Sequence, residues 1–292
     1  AYLSKELNAE VSIGFVEIHF VNKLLMRDFY LEDQNGDSLI FAKELLIEID
    51  DYSLENKTLN INNIVLNEAL FSMQKGQGKD SYNLDFIADY FASTDQEQNS
   101  SFGIDIKTIK VVNSELRIND WNEAIKPYGI DYAHLHLSKI NLELSNFSNS
   151  QNFLIADIDE LSFSERSGFN LTSMSTGARY SKKQILLDEL QIVTPQSEII
   201  TKLLSFNYDE VGDFNQFVEK VNMSGKFRKS TVGTKDLSYF VPFFEGLEDS
   251  LTFSCNVNGK VSHLLAEDIQ LEFGESSKVK GEILIQGLPE VS

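Results

Sequence analysis

The chain has 292 residues, of which 42% are hydrophobic, with 21 Phe and only 4 Pro. Its formal net charge of −20, from 45 acidic and 25 basic residues, argues against nucleic acid, whose affinity comes from Lys and Arg neutralising phosphates, and against flat adsorption on an anionic membrane. The single cysteine, Cys255, excludes an internal disulfide framework and a multi-cysteine metal site.

In chain order, Tyr2, Leu3 and Leu7 suggest a short amphipathic helix over residues 1–9. The chain starts with Ala, and we read it as a segment of a longer protein whose signal or anchor would precede residue 1. No run approaches the roughly 20 apolar residues of a membrane-spanning helix. From there the dominant signal is period-2 alternation. Leu59 and Ile61 alternate with Asn60 and Asn62; Ile104 and Ile106 flank Asp105; Leu116 and Ile118 flank Arg117. The same rule continues through Ile140, Leu142 and Leu144, then Leu161 and Phe163. It returns at Leu251, Phe253, Cys255 and Val257, and at Ile269, Leu271 and Phe273. Each such segment reads as a strand with one apolar and one solvated face. Asn35-Gly36, Asn258-Gly259 and Ser276-Ser277 suit hairpin turns, so the sheet is expected to be antiparallel and largely meandering.

Three segments read as helices. Leu84, Ile87, Tyr90 and Phe91 share a face, as do Phe214, Phe217, Val218 and Val221. Leu237, Phe240, Val241 and Phe244 follow Asp236, a candidate N-cap, with Pro242 limiting the length. These stripes either pack on the sheet or cap an apolar groove. Residues 93–101 are polar and form the best loop candidate. No strict internal repeat is present.

Few residues suggest chemistry. Asp33, Asn35, Asp37, Ile40 and Glu44 occupy EF-hand loop positions, but Ser38 replaces the turn glycine, and a hairpin at Asn35-Gly36 explains the same residues. His134 and His136 would share the solvent face of a strand, without further metal ligands. Lys75 to Ser81 lacks the residues of a phosphate loop, and the abundant carboxylates nominate no acid–base pair. Neither a cofactor nor a metal site follows. Cys255 reads as a small residue of an apolar face.

The fold class is therefore mainly β: a long antiparallel open curved sheet, a β-taco or groove, with a few short helices. It is read as one elongated segment over residues 1–292. About 18 strands at ~4.8 Å would span on the order of 85 Å. The apolar face must hide either in a β-sandwich or in a gutter-like sheet whose interior faces itself and its contents.

Several runs resemble AsmA/TamB-like proteins, especially those of Bacteroidetes. The run Val11-Ser12-Ile13-Gly14 with Val16-Glu17-Ile18 is similar to their region after the membrane anchor. So are Leu31 to Ile40, Leu59 to Leu66, Asp236 to Pro242, Gly246-Leu247-Glu248, Gly259-Lys260-Val261 and Gly281-Glu282-Ile283. The resemblance implies a periplasmic cell-envelope protein of a Gram-negative bacterium, attached to the inner membrane outside this chain. It implies phospholipid transport or outer-membrane homeostasis. For the TamB branch, part of the translocation and assembly module, it also implies an outer-membrane β-barrel partner. On this reading the chain is not an enzyme and its ligand is the phospholipid acyl chain. The groove-lining candidates are Ile61, Ile104, Ile106, Leu116, Ile118, Leu142, Leu251, Phe253, Ile269, Leu271 and Ile283. The rival readings are a scaffold docking a β-barrel through its strand edges and, further off, an adhesin or an enzyme.

Overall fold

The computed structural model describes residues 2–19, 22–53, 55, 58–87, 103–149, 153–273 and 277–286. The protein is mainly β. A short helix, Tyr2–Leu7, leads into fourteen strands of one open sheet, whose spatial order is their sequence order. The first seven are β1 (Val11–His19), β2 (Lys23–Glu32), β3 (Ser38–Ser53), β4 (Thr58–Lys75), β5 (Gly103–Asp120), β6 (His136–Asn149) and β7 (Leu154–Glu165). The rest are β8 (Asn170–Tyr180), β9 (Gln184–Val193), β10 (Glu198–Asn207), β11 (Asn222–Gly233), β12 (Ser250–Lys260), β13 (His263–Phe273) and β14 (Ser277–Gln286). By contact the chain divides into two units, Ala1–Asn146 with Ser162–Phe169, and Phe147–Leu161 with Asn170–Ser292.

Three expectations need correction. Fourteen strands, not about 18, are described, because β3, β4 and β5 run for 16, 18 and 18 residues. The pairing of β4 with β5 is parallel; the long connection from Lys75 to Gly103 permits it, since parallel neighbours need a crossover of a dozen residues or more. Asn258-Gly259 is not a turn. Gly259 lies inside β12 opposite Leu264, with φ +127°, and a Cβ there would sit 2.3 Å from the carbonyl oxygen of His263. The Asn35-Gly36 turn does form, with Gly36 at φ +86°. The polar loop 93–101, Tyr90, Phe91 and Ser276 lie outside the described residues.

In unit 1 the strands share one apolar face. Leu24, Ile47, Ile64 and Ile109 are successive cross-strand partners, as are Met26, Leu45, Leu66 and Val111. Further along, Leu31, Ile40, Phe71 and Leu116 form another such row. Between these flanks each strand carries two consecutive residues on the opposite face: Arg27-Asp28, Lys43-Glu44, Asn67-Glu68 and Val112-Asn113. Asp28, Glu68 and Asn113 adopt positive φ, which lets the chain turn both side chains outward. The polar pairs then bond across strands: Arg27 and Asn67 donate to Glu44 (3.4 and 3.1 Å), and Lys43 to Glu68 (2.6 Å). On the apolar side of this line sit the small buried residues Ala42, Ala69 and Ser114.

Unit 2 repeats the device. One apolar row runs Ala178, Leu187, Leu204, Gly225, Val257, Ala266 and Ile283. A second runs Ser230, Phe253, Leu271 and Val279. Between them the register shifts in pair after pair, at outward doublets Asp188-Glu189, Lys202-Leu203, Arg228-Lys229 and Glu267-Asp268. Glu189 and Asp268 again have positive φ. A bulge bends the strand that carries it, so the line of register shifts creases the sheet of unit 2; in unit 1 the doublets face one another in register and the positive-φ residues alone interrupt the alternation.

An outward doublet breaks ladder hydrogen bonds, and a serine after it restores one in each unit. Ser114 Oγ accepts the amide of Ala69 at 2.9 Å and donates to the carbonyl of Val112 at 3.0 Å. Ser230 Oγ accepts the amide of Ile200 at 3.0 Å and donates to the carbonyl of Arg228, also at 3.0 Å. The geometry is the same in both units: a buried hydroxyl bridges from the neighbouring strand to its own chain two residues back. Replacing either serine by alanine leaves a buried amide unpaired, so Ser114→Ala and Ser230→Ala should each lower stability by about 1–3 kcal/mol. Urea unfolding of the two variants checks this; a loss near zero in both would remove the serines from the crease.

Candidate functional site

The candidate site is the apolar face itself. Along the crease of unit 2 its side chains are buried: Leu190, Leu204, Val232, Val257, Ala266 and Ile269. Other side chains of the face, several of them cross-strand partners of these, are only half-buried, as at Ile185, Leu187, Phe206, Leu251, Phe253 and Leu271. Val257, Ala266 and Ile269 form a cluster against which Met223, Phe227, Cys255, Leu264 and Leu271 pack. Burial pushes the Cys255 thiol up, so at neutral pH it behaves as a small apolar group. Phe217 and Phe214 cover one end of this face. Phe217 packs on Phe206 at 5.8 Å and Phe214 on Tyr208 at 4.8 Å between ring centroids, while Val221 is fully buried.

Nine of the eleven lining candidates take positions on this face. Leu116 and Ile118 pair with Phe71 and Met73. Ile61 pairs with Ile49 and with Ile106; Ile49 lies two residues beyond Ile47, which sets the face for all three. Leu251, Phe253, Ile269, Leu271 and Ile283 pair with Phe273, Leu271, Gly281, Phe253 and Ala266. Leu142 is half-buried in β6. Ile104 pairs with Leu59, but its side chain lies outside the described residues. In each unit the apolar face runs on to an end strand, β1 in unit 1 and β14 in unit 2, where it is exposed. Ile283 on β14 is 41% exposed, and Ile18 on β1 is 70% exposed, with Ile13 and Val16 beside it.

Sequence reasoning missed the crease residues Ala42, Ala69, Ser114, Thr201 and Ser230. The signal was there in the outward doublets, which interrupt the alternation just before Ser114, Ser230 and Ile269. Thr201 is fully buried in the crease, and its hydroxyl has no hydrogen-bond partner.

Elsewhere polar residues hold loops in place. His134 is not on a strand face toward solvent, as the alternation suggested. Asp131 caps a 3-10 turn, Tyr132–His134, and His134 is buried against Trp121. The Asp131 carboxylate accepts the Lys126 amide at 2.9 Å and His134 Nδ1 at 3.1 Å. The strand starts only at His136. The EF-hand-like residues are dispersed in the same way. Asp33 Oδ1 accepts the amides of Asn35 (2.7 Å) and Asp37 (3.0 Å), and Oδ2 accepts Asn83 Nδ2 (3.0 Å). Glu44 stands in the Arg27–Asn67 ladder instead. Among the described residues no group of three or more His, Cys, Asp or Glu could hold a metal ion, and no helix is long and apolar enough to cross a membrane.

The polar face carries exposed ion pairs such as Arg228–Glu189 (2.9 Å) and Lys278–Glu272 (2.7 Å). Exposed pairs of this kind contribute little stability; their effect is to keep one face of the sheet wetted. Compared with known proteins, the chain matches no family model, no curated protein and no solved structure.

Asp33 gives this region a defined acid response. Burial alone would raise its pKa, but hydrogen bonds from Asn83, the amides of Asp37 and Asn35, and Gln74 outweigh it and hold the carboxyl below its ordinary value. A lowered folded pKa contributes stability that is complete above the unfolded value near ~4 and is lost as the pH falls through the folded one. Asp33→Asn should therefore flatten the acid limb of stability against pH, measured by urea unfolding from about pH 6 to pH 2. An unchanged acid limb would assign the response to other carboxylates.

Proposed function

We propose that the apolar face shelters lipid acyl chains, and that the chain is a segment of a periplasmic AsmA/TamB-type protein acting in phospholipid transport between membranes or in outer-membrane homeostasis. The observation that carries this reading is the half-buried state of the aliphatic and aromatic side chains that flank the crease. A closed core would bury them. An apolar strip left half open in each unit suits a guest that supplies the missing contacts, and each methylene sheltered from water gains about 0.8 kcal/mol. Such a strip needs shape and apolarity rather than a catalytic group. The small residues of the crease suit it as well, since they leave room where the sheet bends most.

A second reading has its own support. Among the described residues β1 and β14 each pair on one side only, and β1 presents exposed Ile13, Val16 and Ile18. An exposed strand edge with apolar side chains is a template for pairing with another sheet. On this reading the chain is a scaffold that docks an envelope β-barrel.

Lipid extraction and mass spectrometry of protein prepared without detergent separates the two. Co-purified phospholipid, reduced several-fold by Leu116→Asp or Phe253→Asp with the β-sheet circular-dichroism signal retained, supports the acyl-chain site. A lipid-free, monodisperse protein would end the first reading and favour the scaffold.

A further inference from the structure

The connection from β11 to β12 ends in an aromatic tip that the apolar face does not use. Leu237, Phe240, Val241 and Phe244 were expected to form one helical stripe that packs on the sheet or caps an apolar groove. Instead a short helix, Thr234–Ser238, with Gly233 rather than Asp236 as its N-cap, stops early, and a 3-10 turn, Pro242–Phe244, follows. Phe240, Val241, Phe243 and Leu247 are exposed, Phe243 at 81% being the most exposed of the large apolar side chains described.

Three features of this tip point the same way. Much of its backbone is already paired within it. The amides of Phe240 and Val241 donate to Leu237 O, Phe244 to Val241 O, Glu245 to Pro242 O and Leu247 to Phe244 O, at 2.8–3.2 Å, and Pro242 has no N–H to satisfy. A segment can leave water cheaply only when its peptide groups are paired within it. Its base is fixed. Thr234 Oγ1 donates to Leu247 O at 2.7 Å and accepts the Asp249 amide at 2.9 Å. Asp236, buried, accepts the hydroxyls of Thr194 and Ser197, and Ser197 Oγ accepts the Gly233 amide at 3.1 Å. The tip is thus a stiff projection whose side chains need no folding to be presented. The residues that follow the rings are acidic, Glu245, Glu248 and Asp249 against Lys235 at the base, on a chain of net charge −20. Electrostatics therefore oppose an anionic surface and leave a neutral one.

We infer that this tip, led by Phe243, inserts into the headgroup–acyl boundary of a zwitterionic lipid bilayer. Aromatic rings on a small, internally bonded turn match the depth of that boundary, and the acidic residues that follow stay in water. The inference goes beyond the lipid-sheltering reading and stands on different residues.

The test uses the whole chain carrying Trp121→Phe and Phe243→Trp, so that the only tryptophan reports from the tip. With phosphatidylcholine vesicles its emission should shift to the blue and be quenched by bromine placed high on the acyl chains. Replacing a fifth of the lipid by phosphatidylglycerol should weaken binding. In the otherwise native chain, Phe243→Asp should lower vesicle binding in flotation about tenfold, the factor expected from one buried aromatic side chain, without changing the melting temperature. Co-purified lipid measured on the same sample should be unchanged, which keeps failure of the tip separate from failure of the apolar face. A reporter that stays water-exposed with vesicles would overturn the inference. So would a blue shift driven by protein concentration alone, which would mean a second copy covers the tip, or tighter binding to anionic lipid.

Discussion

Everything in this protein follows from bending a one-sided sheet without leaving its backbone unpaired. A flat strand ladder satisfies every amide; a creased one does not, because each bulge withdraws a residue from the ladder. The chain meets that constraint with one repeated splice. A doublet turns outward, the next residue is a buried serine, and its hydroxyl takes the orphaned amide of the neighbouring strand. Ser114 does this for Ala69, and Ser230 for Ile200. Small residues beside the splice, Ala42, Ala69 and Gly225, let the two flanks approach. At Gly225 a Cβ would meet Phe227 at 2.8 Å and Leu204 at 3.1 Å.

The crease also decides what the sequence could and could not convey. Alternation is a local signal, and it identifies β4, β5, β12 and β13 from their own residues. It also places Phe253 with Leu251, and Leu271 with Ile269, because no doublet separates them. Across a doublet the parity reverses, so Val111 and Ser114 lie on one face although they are three apart. The long β3 reads as two apolar runs divided by Lys43-Glu44. The parallel pairing of β4 with β5 was illegible, since strand direction depends on a connection whose residues carry no such periodicity. His134 was misplaced because two leucines imitate a strand that begins two residues later. Most lining candidates were chosen in pairs within one uninterrupted run, such as Leu251 with Phe253, which is why such a pair shares a face. The hydroxyls of the crease were passed over because serine and threonine carry no hydrophobic signal, yet their neighbours could have disclosed them.

The two faces of the sheet divide the energetic work. Ion pairs such as Lys43–Glu68 and Arg228–Glu189 are exposed and worth little individually, but they hold the long doublet side chains flat and hydrated. The opposite face gathers its aliphatic groups in rows that run across the strands, some buried and some half-open. Apolar burial is thus concentrated along a line rather than in a central core. Unit 2 shows this most plainly, where one row of partners crosses seven strands from Ala178 to Ile283.

The parallel joint between β4 and β5 has a consequence for how the chain is made. β1 to β4 are antiparallel neighbours joined by short links, so each can zip onto the one before as it leaves the ribosome. β8 to β10, and β12 to β14, can do likewise. Such zippering closes only small loops and is fast. β4 cannot recruit its next neighbour in this way: β5 must first emerge in full and swing back to lie in the same direction. During synthesis the open edge of β4, 18 residues long, therefore waits unpaired, and that interval is when the nascent chain is most exposed to pairing with the wrong strand.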